Sequence, residues 1–464
     1  MLSILFFLLI IIAITAFLGT FYYKRIRQLG SPFNIILSVI ITIGVALNFL
    51  FFWGNNYSNS TYDTEGHLNY VEYVFNQKTI PSPDKFWGAY NPPLYYLILA
   101  STKRVLSFLN LDEENARTGY QALSFLFISL GNLLFCDILL RIFPQRKKGG
   151  ESFLAVISSF ITIFFLPGIV MQSFRINNDV LFYFIFALIS WFFFRQKNYS
   201  RLFWVLIAGL NFLLAFTKKH AILILPMEIW FWLKQKNPPT KKIWHPIILF
   251  AVIPLAMFIH VYSYNIPFGN SGITSALVEG SFLQQPSKKL EIDTDPRFLV
   301  DVSLVRLMEN PYLDILNPLK KHLNNYFLEY LIRTSIFSEN AYPKLLISAR
   351  ILMFSYILLL LILLVGIYKC LKKAGKNFYS QETFFLLFFL EGILASLLFR
   401  TMLPYFCSQD FRYISFIILP MAYFCGKSFE GANLISKKVF WGIVLFFFLA
   451  SVNFLLSLIY QYKF

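Results

Sequence analysis

The chain has 464 residues, of which 57% are hydrophobic, 19% aromatic and only 14% charged. A soluble globule of this length needs more polar surface than that to face water, so a soluble fold is excluded. The formal charge of +17 is divided among short clusters between apolar runs. It does not form one basic face, which argues for anionic membrane lipids and against a nucleic-acid partner.

Apolar runs of about 20 residues recur along the chain, long enough to cross the hydrocarbon layer as helices whose backbone hydrogen bonds are all internal. The expected fold class is an all-α polytopic membrane protein with about twelve transmembrane helices. Their approximate positions are 2–23, 33–53, 119–140, 153–170, 180–194, 202–216, 221–233, 244–264, 345–368, 383–403, 413–425 and 440–460. The first lacks a basic leader and a small-residue cleavage site, so it reads as a retained helix and not a signal peptide. The runs 202–216 and 221–233 are short and separated only by Thr217-Lys218-Lys219-His220, as in a broken hairpin.

Basic clusters follow alternate helices: Lys24/Arg25/Arg27, Arg141/Arg146/Lys147/Lys148, Arg195/Lys197/Arg201, Lys234/Lys236/Lys241/Lys242, Lys369/Lys372/Lys373/Lys376 and Lys427/Lys437/Lys438. Short basic loops stay in the cytoplasm. Both termini and two long loops, 54–118 and 265–344, are then expected outside, in the plasma (inner) membrane if the source is bacterial. The chain thus divides into 1–53 (two helices), 54–118 (acidic loop with interfacial helices), 119–264 (central helices), 265–344 (large outer loop) and 345–464 (C-terminal helices). The two halves show no internal repeat, which counts against an inverted-repeat transporter. Cys136, Cys370, Cys407 and Cys425 are too scattered for a disulfide framework or a zinc site.

The first outer loop reads GNNYSNSTYDTEGHLNYVEYVFNQKTIPSPDKFWGAYNPPLYYLILA. Leu68, Val71 and Phe75 recur at helical spacing and predict a short amphipathic helix on the membrane surface, with Asp63 at or before its first turn. Asp63 is either an N-cap or a general base. Glu65, two residues on, points to the opposite side of a regular helix. His67 reads as an interfacial hydrogen-bonding residue, since no second His or Cys stands at ligand spacing. A second surface element begins at Pro92 and is interrupted by Lys103 and Arg104. Inside the apolar runs, Asp137 and Arg141 are spaced to pair, whereas Glu228, His260 and Glu391 have no partner nearby in sequence.

The acidic Asp63, with His67 four residues on, then a Pro-bearing segment and Pro92-Pro93-Leu94-Tyr95-Tyr96, resembles the GT-C superfamily of membrane glycosyltransferases. The closest similarity is to its protein O-mannosyltransferase-like and aminoarabinose-transferase-like branch. Ser173-Phe174-Arg175-Ile176-Asn177-Asn178-Asp179 resembles that branch's Asn-Asp step, and Phe216-Thr217-Lys218-Lys219-His220 its Thr-Lys step. Tyr330 to Phe337, including Arg333, falls in the large loop, and Asp410-Phe411-Arg412-Tyr413 resembles the Arg-Tyr start of a late helix. The family often has adjacent acidic residues, whereas here Thr64 separates Asp63 from Glu65.

The resemblance implies a donor sugar carried on a polyprenyl phosphate, an acceptor that is a lipid, glycan or protein, and inverting transfer outside the cytoplasm. Asp63, with Glu65 nearby, would be the base. Lys218, Lys219, Arg175, Arg333 and Arg412 would form the pool of cations facing the leaving phosphate, with His67, Asn178, Asp179 and Tyr413 completing the binding residues. Simpler roles stand beside these: Lys218 and Lys219 snorkelling to headgroups, Arg412 pairing with Asp410 or a lipid phosphate, and Asp179 capping its helix. A divalent cation on Asp63 and Glu65 would need further oxygen ligands. Two other classes fit a basic polytopic chain: a transporter or flippase of a lipid-linked sugar, and a noncatalytic assembly partner.

Overall fold

The computed structural model describes residues 31–55, 63–82, 85–86, 88–143, 151–196, 200–234, 251–259, 291–314, 318–375 and 377–463. Within them the chain is helical, with no strand beyond an isolated antiparallel bridge between Glu291 and Tyr405. The frame is built from α1 (Ser31–Gly54), α2 (Thr64–Gln77), α3 (Leu94–Phe108), α4 (Glu113–Ile142), α5 (Glu151–Phe165), α6 (Pro167–Val170), α7 (Asp179–Arg195), α8 (Arg201–Ala215), α9 (Leu225–Leu233), α10 (Phe327–Phe337), α11 (Leu346–Ala374), α12 (Gln381–Met402), α13 (Ile418–Ser428) and α14 (Leu434–Lys463). Stretches of 3₁₀ helix at Lys219–Ile224 and Phe411–Ile417 lead into α9 and α13.

The protein is an α-helical membrane protein. Among the described residues α1, α4, α11, α12 and α14 are long and apolar enough to cross a bilayer, which makes five. A sixth arises if α5 and the Pro167–Phe174 segment, bent by 47°, form one broken span. Pro167 explains the bend, because it lacks the N–H that would continue the ladder of α5. The expected count of about twelve is therefore not reached. The run 2–23 lies outside the described residues, as does 244–264 apart from 251–259. The runs near 180–194 and 202–216 form helices of 17 and 15 residues. Those near 221–233 and 413–425 are each split, with 3₁₀ helix first and only 9 and 11 α-helical residues after it. Hydropathy counts apolar residues and is blind to such breaks.

The chain forms two compact units. The second comprises the described residues within 31–55, 132–173 and 291–463. Its centre is α13, buried along its whole length, as expected of a helix apolar all round. Small residues let neighbouring backbones approach it. A Cβ on Gly366 of α11 would lie 2.0 Å from the Phe424 carbonyl oxygen, and one on Gly426 would lie 2.6 Å from Ser159 Oγ. Ser159 also donates to the Ala422 carbonyl at 2.7 Å. Around this core, Phe165 of α5 meets Phe448 of α14 edge-on at 4.6 Å.

Polar groups of this unit gather at both ends of α12. At its start Glu382 pairs with Lys427 at 2.8 Å, and Glu430 takes Lys427 at 2.7 Å and Lys373 at 2.8 Å. At its end the buried Arg400 donates to Gln409 and to the Asp293 carbonyl. Lys373 and Lys427, assigned to one face by the charge pattern, thus meet at one end. Asp137 and Arg141 pair at 2.7 Å as their spacing predicts.

The first unit comprises the described residues within 63–131 and 174–259. Within it α4 and α7 approach closely at Gly131, where a Cβ would meet the Tyr183 ring at 2.6 Å. Phe193 of α7 stacks on Phe231 of α9 at 5.0 Å. Glu228 of α9, buried in this unit, accepts from Asn211 Nδ2 of α8 at 3.0 Å. His260 lies outside the described residues.

Overfilling the contact of α11 with α13 should be costly. Gly366→Ala is expected to lose about 1–3 kcal/mol of stability in thermal unfolding of the detergent-solubilised protein. Gly442→Ala on α14, which meets nothing within 4 Å, should lose none.

Candidate functional site

Asp63 occupies the N-cap position of α2, yet its side chain makes no cap hydrogen bond. Its carbonyl receives the His67 N–H at 3.3 Å, so the two residues stand one turn apart. The capping explanation for this carboxylate is thereby removed. Glu65 is exposed at the first turn, while Thr64, Gly66, His67, Tyr70, Val71 and Val74 are buried. This stripe differs from the expected Leu68, Val71 and Phe75, and the cause is α3. Tyr96 of α3 stacks on Tyr70 at 3.8 Å and 9°, and its hydroxyl shares a 2.7 Å hydrogen bond with His67 Nδ1. Aromatic packing with a satisfied polar tip selects the helix face more strongly than the aliphatic residues do.

The same pairing explains why Lys103 does not interrupt α3. It forms an ion pair with Glu72 of α2, and its ammonium lies 4.9 Å from the centre of the Phe75 ring. Gly88, with φ of +95°, lies against the backbone of Gly66, where a Cβ would be 3.2 Å from the Gly66 oxygen. Only glycine suits both the positive φ and the close approach. The turn is closed by Asn91, whose N–H and side-chain Nδ2 both donate to the Gly88 carbonyl, at 3.1 and 3.0 Å.

Two further segments of the unit join this turn. Asn178 Nδ2 donates to the Thr217 carbonyl at 3.0 Å and reaches Asn91 Oδ1 at 3.4 Å. The Leu94 N–H at the start of α3 donates to the Phe216 carbonyl at 2.9 Å. Asp179 is the first residue of α7, with Asn178 at the N-cap. Its carboxylate forms an ion pair with Lys218, both side chains being buried. Lys218 therefore does not snorkel. Lys219, half-buried, lies over the Tyr90 ring at 5.6 Å.

Burial shapes the ionisation of this cluster. It lowers the Lys219 ammonium to about 8. His220 is lowered to about 3 by burial and then by the Lys218 and Lys219 charges, so its ring is neutral. Burial raises the Tyr96 hydroxyl well above its ordinary value, with Tyr70, Tyr90, Tyr95 and Asp63 adding to the effect. Tyr96 thus stays protonated beside His67. Arg175 is buried in the turn before α7. Ser124 of α4 donates to its carbonyl at 2.6 Å, and Gln121 to the Phe174 carbonyl at 3.0 Å.

Asp63, His67, Arg175, Asn178, Asp179, Lys218 and Lys219 therefore fall in one unit, from islands far apart in sequence. Tyr70, Gly88 and Asn91 complete the arrangement without having been singled out, and Thr217 of the Thr-Lys step joins it through its carbonyl. Their signals were slight: Tyr70 stands three residues after His67, and Gly88 and Asn91 belong to the Gly-Ala-Tyr-Asn-Pro-Pro turn.

Arg333, Arg412 and Tyr413 fall in the other unit. Arg333 is fully buried and bound to Glu329 at 2.9 Å and to the Asn310 carbonyl at 2.8 Å. Glu329 also pairs with Arg306 at 2.8 Å. Arg412 pairs with Asp410 at 3.3 Å, lies 3.8 Å from Glu339, and donates to the Tyr413 hydroxyl at 3.2 Å. These two guanidiniums are matched by carboxylates of their own unit, which fits the structural role weighed for Arg412. Among the described residues no three His, Cys, Asp or Glu side chains gather to hold a metal ion, so the divalent cation considered for Asp63 and Glu65 finds no such ligand set.

Removing one partner of the buried Lys218–Asp179 pair leaves an uncompensated charge, and Lys218→Met is expected to cost about 3–5 kcal/mol. The double variant Lys218→Met/Asp179→Asn should recover most of that loss in a thermal-unfolding mutant cycle. Compared with protein-family models and with curated proteins, the sequence gives no match.

Proposed function

We propose that this protein is a membrane glycosyltransferase of the GT-C kind, moving a sugar from a polyprenyl phosphate to an acceptor on the extracytoplasmic side. The observation that carries the reading is the convergence, in one unit, of four sequence islands: 63–67, 88–96, 175–179 and 216–220. A helix pair alone would not need a non-capping Asp63, a Lys–Asp pair and a half-buried Lys219 around one turn. In this reading the full topology has about twelve crossings, with the short and broken helices and the run 2–23 completing the count.

The chemistry follows from these groups. Asp63 takes the proton from the acceptor as its oxygen or nitrogen attacks the anomeric carbon. The bond from that carbon to the phosphate oxygen breaks, and the phosphate leaves with the electron pair. Attack opposite the phosphate inverts the centre. Cations held in place beforehand in a partly dry site stabilise the growing charge more than they would in water. Lys218, matched by Asp179, positions the 216–220 segment, whereas Lys219 supplies charge to the phosphate. Membrane lipids surround the donor's chain.

Asp63→Asn is expected to reduce transfer by about 10²–10⁴-fold in reconstituted membranes supplied with polyprenyl-phosphate sugars, with expression and donor binding retained. Near-normal turnover would remove Asp63 as the base.

The pH dependence tests Lys219. Its folded value is lowered from 10.5 to about 8, so the charged form opposes folding below that pH and the penalty lifts as pH rises. Donor binding, which needs the charged form, should be constant below about pH 7 and weaken above about pH 8. Lys219→Arg, always charged, should flatten that profile. An unchanged profile would remove Lys219 from the phosphate site.

A further inference from the structure

Arg175 differs from every other buried cation in the described chain. The buried cationic side chains are Arg175, Lys218, Arg333, Arg400, Arg412 and Lys427. Lys218 has Asp179, Arg333 has Glu329, Arg412 has Asp410 and Lys427 has Glu382 and Glu430. Arg400 has Gln409 and the Asp293 carbonyl. Arg175 is only 4% exposed, and its Nε is sealed from solvent without a hydrogen-bond partner. No ion pair to its guanidinium is found among the described residues.

A guanidinium cannot relieve burial by losing its proton, and an unpaired buried charge is strongly unfavourable. The backbone nevertheless holds it in place. The Ser124 and Gln121 bonds to the carbonyls of Arg175 and Phe174 fix the turn on one side. Three residues on, Asn178 ties the same turn to Thr217 and Asn91. A guanidinium carried on a backbone fixed in this way, with no carboxylate paired to it among the described residues, is suited to an anion that arrives from outside.

We propose that Arg175 is the principal oxyanion-binding residue of this unit and takes a phosphate ester, through the planar fork that matches phosphate oxygens. The naming of a lipid-borne phosphate rests on the glycosyltransferase reading, whereas the anion site rests on the unmatched charge. Of the five cations drawn from the sequence, Lys218, Arg333 and Arg412 already have carboxylates. Of the remaining two, Arg175 is the buried one, Lys219 being half-buried.

The test uses the purified full chain in detergent, with sodium phosphate, citronellyl phosphate as a short isoprenyl phosphate, and citronellol as its neutral control. Binding is read by equilibrium titration and by thermal shift. Citronellyl phosphate should bind and raise the melting temperature, and citronellol should not. Arg175→Met should bind it about tenfold more weakly or worse, with Arg175→Lys intermediate. Without ligand, Arg175→Met should melt no lower than wild type, because a structural anchor would be missed and an unmatched charge would not.

Protection by sodium phosphate alone to the same extent would support the anion site with free phosphate as its source. Wild-type affinity in Arg175→Met, a large loss of stability or of folding in that variant without ligand, or no response of the wild type to either phosphate would overturn the proposal. Arg175-dependent phosphate binding with no sugar transfer would sink the glycosyltransferase reading alone. Asp63-dependent transfer with Arg175→Met unimpaired would sink this inference alone.

Discussion

Charge taken out of water has to be matched, and in this protein the matching organises the polar parts of both units. Lys218 and Asp179 are the clearest case: an ammonium and a carboxylate, each nearly closed to solvent, paired from the residue just before the 3₁₀ segment Lys219–Ile224 to the first residue of α7. Neither could be buried alone. Their pairing brings Thr217 within reach of Asn178, and Phe216 within reach of the start of α3. The turn carrying Tyr90 and Asn91 is then placed against both.

The second unit follows the same rule with different residues. Glu329 serves two arginines, Arg306 and Arg333. Glu382 and Glu430 serve Lys427 and Lys373 at the start of α12, and Arg400 closes its far end. Between those ends the contacts are apolar and close, made possible by Gly366, Gly426 and Ser159 against α13. Lipid-facing helices gain little from hydrophobic association with one another, so close packing and a few polar bonds have to supply specificity. Among the described buried cations, Arg400 is met by a glutamine and a backbone carbonyl in place of a carboxylate, and Arg175 has neither.

The α2–α3 pair shows how a polar site is held between two helices. Tyr96, stacked on Tyr70 and hydrogen-bonded to His67, turns one face of α2 inward and leaves Glu65 exposed. Asp63 is then positioned by its backbone at the helix start, with its carboxylate uncommitted to capping. Support from packed aromatic rings and from the Gly66–Gly88 backbone contact keeps this start in place.

The membrane class, the long apolar helices and the Asp137–Arg141 pair were legible in the sequence, because each depends on composition or on spacing along one helix. Candidate residues 63, 67, 175, 178, 179, 218 and 219 were legible as separate islands. Their sharing of one unit, and the placing of Arg333 and Arg412 in another, were not. The buried face of α2, the breaks that shorten the helices near 221–233 and 413–425, and the choice of which cations are already matched depend on partners distant in the chain. Local pattern encodes the preference of a segment for lipid or water. Which charge meets which is decided only when the segments pack, since a buried ion is tolerated only where its counter-ion arrives.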